Sequence, residues 1–267
     1  MSSKGIFAAV SGAMAQSSRL DTIANNLANV NTTGFKKDRQ VFSEYLSSFE
    51  KPDTALMLPR IPASIESFYD MQGGDNAYVN PAGTYTNFEQ GALKSTGNPL
   101  DVALEGKGFF EVLTPDGVKW TRNGSFQIDG EGRLVSKEGW PVLKEGQNDP
   151  AQRIIQLTSR NATISKTGEI FDGGNALGKM AVVEFVNPDD LRKVGNSMYT
   201  TNGAQTAVPM AAREARVQQG FVEGSNVNVV EEMTDMISAN RVFEAAQKAI
   251  KGHDEMDDKL INTVAKV

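Results

Sequence analysis

The chain has 267 residues, of which 39% are hydrophobic and 22% charged, with a net charge of −6 and a pI near 5.0. That length is enough to bury a sizeable core, the composition argues against wholesale disorder, and an acidic balance with dispersed Lys and Arg argues against a nucleic-acid partner. The absence of cysteine excludes disulfides and thiol chemistry, and the lone His253 excludes a multi-histidine metal site.

From the N-terminus, Ile6, Val10, Ala13, Ser17, Leu20, Ala24 and Leu27 are spaced by alternating steps of 4 and 3, the seam spacing of a coiled coil. No apolar run approaches the roughly 18 residues of a membrane span, so membrane insertion is not expected. Ser11, Gln16, Ser17, Ser18 and Arg19 interrupt the segment too often for a cleaved secretory signal. The helix is expected to stop at Val30-Asn31-Thr32-Thr33-Gly34-Phe35. Gly34 would be left-handed at C′ and Phe35 would fold back onto Val30, as in a Schellman motif. Asn25, Asn26 and Asn29 disfavour a helix interior. They read either as lateral hydrogen-bonding groups for neighbouring helices or as simply solvated.

Residues 36–75 carry Pro52, Pro59 and Pro62 and end in Gly73-Gly74, which reads as an extended connector. Over residues 76–215 the helical period gives way to short strands and turns. Phe109–Leu113 and Val118–Arg122 flank a Pro115-Asp116-Gly117 turn. Further hairpins are expected at Phe126–Val135 and Ala162–Phe171, a strand at Lys179–Val186, and a helical turn at Asn187–Leu191. Such a region suggests an antiparallel sandwich or open barrel.

Residues 216–267 return to helical spacing, with Val229, Met233, Met236, Asn240, Phe243, Gln247 and Ile250 in the same 4-3 alternation; Leu260, Val264 and Val267 resume it after a slip. Asn228 with Glu231 fits a capping box. The fold class expected is therefore mainly β with α-helical termini, the two helices pairing as a coiled coil. Spacing alone leaves two partners open: the chain's own other helix, or a helix of another molecule.

Candidate chemistry is sparse. Gly106-Lys107-Gly108 lacks the spacing of a phosphate loop, and Asp129-Gly130-Glu131-Gly132 lacks the spaced carboxylates of a calcium loop. Asp189-Asp190 and Asp257-Asp258 read as solvated pairs, and His253 has no partner that sequence supplies. No enzyme activity, cofactor or metal is expected.

The ends carry a stronger signal. Ile23-Ala24-Asn25-Asn26-Leu27-Ala28-Asn29-Val30-Asn31-Thr32-Thr33-Gly34-Phe35-Lys36 resembles the N-terminal signature of the flagellar rod and hook axial proteins. Glu223-Gly224-Ser225-Asn226-Val227-Asn228, continuing through Met233 and Phe243, resembles their closing signature, and Gly108-Phe109-Phe110 and Thr121–Phe126 resemble their central β motifs. The resemblance implies a structural subunit of the basal-body rod, the drive shaft of bacterial motility. It would be exported by the flagellar type III apparatus without a cleaved signal into a periplasm-spanning rod, and would polymerise with copies of itself and with other rod subunits in a helical assembly. Asn98–Leu104, the Glu223–Asn226 variant and Phe243 are more similar to the proximal than to the distal rod branch. On this reading the assembly interface draws on Ile6, Val10, Leu20, Asn25, Asn26, Leu27, Asn29, Val30, Gly34 and Phe35. At the other end it draws on Ser225, Asn226, Val227, Asn228, Met233, Met236, Phe243 and Ile250. The expected segments are a helix over 1–35, the connector, the β domain and a helix over 216–267. A ligand-binding β domain on a helical stalk is the less favoured alternative.

Overall fold

The computed structural model describes residues 3–47, 76–159, 162–201, 208–212 and 214–264. Connector residues 48–75 lie outside them, as do the side chains of Leu260 and Val264 and all of Val267. The chain divides into two compact units. One comprises residues 1–24, 39–85 and 230–267, and the other residues 25–38 and 86–229.

The first unit holds most of two helices, α1 (Ser3–Ala28) and α2 (Val229–Val264), and a two-stranded sheet of β1 (Asp38–Ser47) with β2 (Asn76–Thr86). No described helix is long and apolar enough to cross a membrane. The stripe that each helix shelters differs from the expected one. In α1, Ile6, Val10, Ala13, Leu20 and Leu27 are sheltered as expected, Ala15, Gln16 and Ile23 are sheltered besides, and Ser17 and Ala24 are exposed. In α2 the stripe runs through Val229, Glu232, Met236, Ala239, Phe243, Ala246 and Ile250, while Met233, Asn240 and Gln247 are exposed. In both helices every seventh residue is as expected; the sheltered intermediate member stands three residues on instead of four throughout α2 and, in α1, at Gln16 and Ile23. At two places polar Asn240 and Gln247 stay in water and small Ala239 and Ala246 are sheltered, as desolvation favours, whereas at the first Glu232 is buried and Met233 exposed. Arg19 and Asp235 form a half-exposed ion pair at 3.8 Å.

The second unit is built from antiparallel sheets, none of them closed. Its centre is a six-stranded sheet in the order β13-β14-β6-β5-β12-β15. The strands are β5 (Phe109–Thr114), β6 (Gly117–Thr121), β12 (Val182–Glu184), β13 (Leu191–Gly195), β14 (Met198–Thr201) and β15 (Met210–Ala211). The expected strand at Lys179–Val186 is divided. Lys179 ends β11 (Asn175–Lys179), and Met180 and Ala181 turn the chain into β12. Successive residues of a strand face opposite ways, so Phe109 and Phe110 enter different cores. Phe110 packs with Val102, Leu104, Val112, Phe126, Leu134 and Met180. Phe109 joins Trp120, Phe185, Leu191 and Tyr199, and it meets Phe185 and Tyr199 edge-on at 5.9 and 5.5 Å. A central strand buried on both faces is the result.

The expected hairpins are present as β5–β6, β7 (Phe126–Ile128) with β8 (Leu134–Ser136), and β9 (Thr163–Ile164) with β10 (Glu169–Asp172). What local pattern could not show is the return of the chain's end. Strands β16 (Arg216–Gln219) and β17 (Phe221–Glu223) pair antiparallel with β4 (Val102–Glu105) and β3 (Leu93–Ser95). The last strands before α2 are thus woven into the first strands of the β region.

Candidate functional site: the junction at the helix roots

The second unit also contains the end of α1, the segment that follows it, and the residues leading into α2. Their meeting point is held by buried ion pairs and hydrogen bonds.

Helix α1 ends at Ala28, earlier than expected, because the Asn–Thr run offers its own hydrogen bonds. Asn29 Nδ2 donates to Asn25 O at 2.9 Å, and Thr32 Oγ1 donates to Asn29 Oδ1 at 3.1 Å. Gly34 is left-handed, with φ +67°, but its N–H donates to Glu223 O at 2.8 Å instead of closing a Schellman cap on the helix. The reason is close packing. A Cβ at position 34 would stand 2.4 Å from Asn123 N. Thr33 Oγ1 donates to Asn123 Oδ1 at 2.8 Å, fixing the same approach.

At the centre lies a buried ionic triad. Lys36 Nζ is 2.6 Å from Glu223 Oε1, and Arg122 Nη1 is 3.2 Å from Glu223 Oε2. Lys36 is 0% and Glu223 1% exposed, so neither charge has water to fall back on. Two cations share one carboxylate, and carbonyl dipoles offset the excess. Lys36 Nζ also donates to Glu89 O at 2.6 Å, and Arg122 Nη2 donates to Gly106 O at 2.7 Å. The free Oε1 lone pair of Glu223 accepts the Gly91 N–H at 3.0 Å. Desolvation lowers the Lys36 and Arg122 pKa values, and Glu223 opposes the shift in both. A buried pair gives uncertain net stabilisation, but removing one partner costs about 3–5 kcal/mol.

Three further ties surround it. Asn26 closes a two-bond clamp on the backbone of Asp38, Nδ2 to its O at 2.9 Å and Oδ1 from its N–H at 3.0 Å. Asn226 accepts the Lys37 N–H at 2.7 Å and donates to Asn87 O at 2.9 Å and Glu89 O at 3.1 Å. Lys193 Nζ sits 4.1 Å above the Phe35 ring, donates to Lys36 O, and pairs with Asp38 Oδ2 at 2.8 Å. Burial lowers the Lys193 pKa, and the bond to Asp38 opposes the shift.

The junction therefore gathers five of the residues singled out from sequence, Asn26, Gly34, Phe35, Asn226 and Val227, and all five engage their own chain. Val227 is buried, and Ser225 accepts its N–H at 3.3 Å. The amide of Asn26, which the sequence left as either a lateral bonding group or a solvated one, bonds Asp38, and that of Asn29 bonds its own turn. Asn25, Asn228 and Met233 are exposed. Ile6, Val10, Leu20, Leu27, Val30, Met236, Phe243 and Ile250 are half-buried. Sequence reasoning assigned no role to Lys36, Arg122, Lys193 and Glu223, although three of them stand inside its quoted motifs. The available signal was a charged residue amid Gly and small polar residues in each motif, where a solvated charge needs no such company.

Among the described residues no cluster of metal-ligating side chains occurs. The junction is a clamp. Residues 6–36 match the family described as flagella basal body rod protein, residues 103–171 the flagellar hook protein FlgE/F/G D1 domain, and residues 218–263 the flagellar basal body rod FlgEFG protein C-terminal region. The chain is 36% identical to the flagellar basal-body rod protein FlgG of Borreliella burgdorferi, across 95% of its own length and 96% of the relative's. To FlgG of Buchnera aphidicola it is 35% identical over 93% and 95%, and to the flagellar basal-body rod protein FlgF of Caulobacter vibrioides 31% identical over 98% of each. The three matches fall on α1 with its root, on the central strands, and on the closing strands with α2, and the chain belongs to the flagellar basal-body rod family of FlgE, FlgF and FlgG proteins.

Proposed function

We propose that this chain is a structural, non-catalytic subunit of the flagellar rod that polymerises through its terminal helices, with copies of itself and with other rod subunits, into a shaft that carries torque. The observation that supports it most is the apolar surface left over on both helices. Beside the sheltered stripes, α1 exposes Phe7 and Met14, one heptad apart, and α2 exposes Val230, Met233 and Ile237 at steps of 3 and 4. Apolar residues aligned on one helix face gain by burial against another helix. A subunit of this kind would be delivered by the flagellar export apparatus and would reside in the periplasmic part of the basal body.

Met233→Asp and Ile237→Asp test this reading. Both are expected to abolish polymerisation, read by sedimentation and electron microscopy, while the circular dichroism and melting of the monomer stay unchanged. Normal filaments from both variants would refute the helix-mediated assembly.

Within the rod, Asn98–Leu104 and Phe243 favour the proximal position, and the higher identity to relatives named FlgG favours the distal one. We hold the proximal reading. A peptide tag in the exposed Asp116–Gly117 turn, located in isolated basal bodies, should appear near the base of the rod, and a tag found near the hook would assign the distal position.

A further inference from the structure

The junction is assembled from parts that are far apart in the chain. Lys36 and Glu223 are 187 residues apart, Lys37 and Asn226 189, and Arg122 and Glu223 101. We infer that Glu223 is a completion latch: the segment after α1 stays undocked until the last strand before α2 has folded into place.

The reasoning is electrostatic. Docking residues 33–38 buries the Lys36 ammonium beside the Arg122 guanidinium, and two like charges in a low-dielectric site repel. Before Glu223 arrives, the carbonyls of Glu89 and Gly106 are the hydrogen-bond acceptors for these two groups, and the Glu89 carboxylate acts on Lys36 more weakly than Glu223 does. Carbonyl dipoles do not neutralise two full charges, and an uncompensated buried charge is strongly unfavourable. The backbone points the same way. Gly34 N–H has Glu223 O as its acceptor, and Lys37 N–H has the Asn226 side chain. With residues 221–226 not yet in place, the Gly34 donor would be buried without its acceptor, which the interior disfavours. Gly91 is held too, since its N–H takes Glu223 Oε1, and a Cβ at Gly91 would stand 2.1 Å from Gly224 O.

By contrast, the β5–β6 hairpin needs none of this. Its strands are joined by a two-residue turn, so their pairing with each other is local and forms early. The fold thus separates into an early sheet and a late latch. A chain that has not yet supplied residues 221–226 carries a folded hairpin and an undocked α1 root. For a subunit whose α1 joins other molecules, the device prevents an incomplete chain from presenting a helix in the assembled geometry.

Pulse-labelled hydrogen exchange during refolding of the full chain from urea tests the order. Peptides covering Gly34–Lys37 and Gly91 are expected to gain protection in one phase with Gly224, whose N–H donates to Ala92 O, and at least threefold later than peptides covering β5 and β6. Protection of Gly34–Lys37 together with or ahead of β5–β6 would overturn the latch. The Glu223→Gln variant supplies a second readout. It should slow the late phase at least tenfold and leave the β5–β6 phase unchanged, whereas an unchanged late phase would refute the role of the carboxylate.

Discussion

Gly34 approaches Asn123 so closely that a methyl group on its α-carbon would stand 2.4 Å from the Asn123 nitrogen. Two strictures meet there, a left-handed φ and contact with backbone, and they can be separated. Gly97 has a similar φ of +71° with nothing within 4 Å. Gly97→Ala should cost only the left-handed penalty of about 1–2 kcal/mol. Gly34→Ala should cost that plus the displacement of a buried backbone, and urea unfolding of the two variants reads the difference. Equal destabilisation would mean that the approach is not tight.

Removing the shared carboxylate leaves two buried cations facing each other. Glu223→Gln should destabilise the second unit by about 3–5 kcal/mol. Adding Lys36→Met should recover part of that loss, because one of the stranded charges is gone. A double-mutant cycle with strictly additive effects would show that the two residues do not couple.

Asn26 and Asn25 are neighbours with opposite fates. Asn26 makes two hydrogen bonds to Asp38 and is 2% exposed, while the side chain of Asn25 lies at the surface. Asn26→Ala should cost about 1–3 kcal/mol, the penalty of orphaning buried partners. Asn25→Ala should fall within about 0.5 kcal/mol of wild type. Thermal melts of the two variants suffice.

Tyr199 presents the reverse case. Its ring fills the aromatic core beside Phe88 and Phe109, and its hydroxyl finds no hydrogen-bond partner among the described residues. Burial pushes its pKa well above the ordinary value, so the phenol stays neutral. Tyr199→Phe should therefore be neutral or stabilise by up to about 1 kcal/mol, since it removes a desolvated polar atom and keeps the packing.

Acid sensitivity should have a local contribution at Asp172. Its carboxylate accepts the Thr158 N–H at 2.6 Å, the Ser159 N–H at 3.2 Å and the Ser159 hydroxyl at 2.9 Å. These bonds, the Thr158 N–H foremost, hold its pKa below the ordinary 3.8. A depressed folded pKa means that the folded chain stays deprotonated where the unfolded chain takes up a proton. The stabilisation is complete above about 3.8 and is lost as pH falls through the lower folded value. Asp172→Asn should lower stability at pH 7 and flatten its decline at acid pH, measured by urea midpoints across the range.

The helices show how far periodicity can be read. Ile6, Ala13, Leu20 and Leu27, and likewise Val229, Met236, Phe243 and Ile250, stand on the sheltered side as the heptad spacing requires. Spacing could not choose between Ser17 and Gln16, or between Asn240 and Ala239. Both lie on flanking turns, and in stripes this poor in large apolar residues the choice depends on what packs opposite. The Gly34 turn is a parallel case. Its left-handed conformation was legible because glycine is the residue that tolerates it, but its hydrogen-bond partner was not, because Glu223 is remote in the chain.

The sequence by itself determined the classes of structure and the family. Helical spacing at both ends, turn residues among alternating strands, and the signatures around Asn25–Lys36 and Glu223–Asn228 are local patterns, and local geometry is what a sequence encodes directly. Tertiary structure alone decided the junction. Lys36, Arg122 and Glu223 look like ordinary surface charges until strands β16 and β17 return to β4 and β3 and exclude water from all three. Whether a charge is solvated or buried is a property of what surrounds it in space, and that is settled only when distant segments meet.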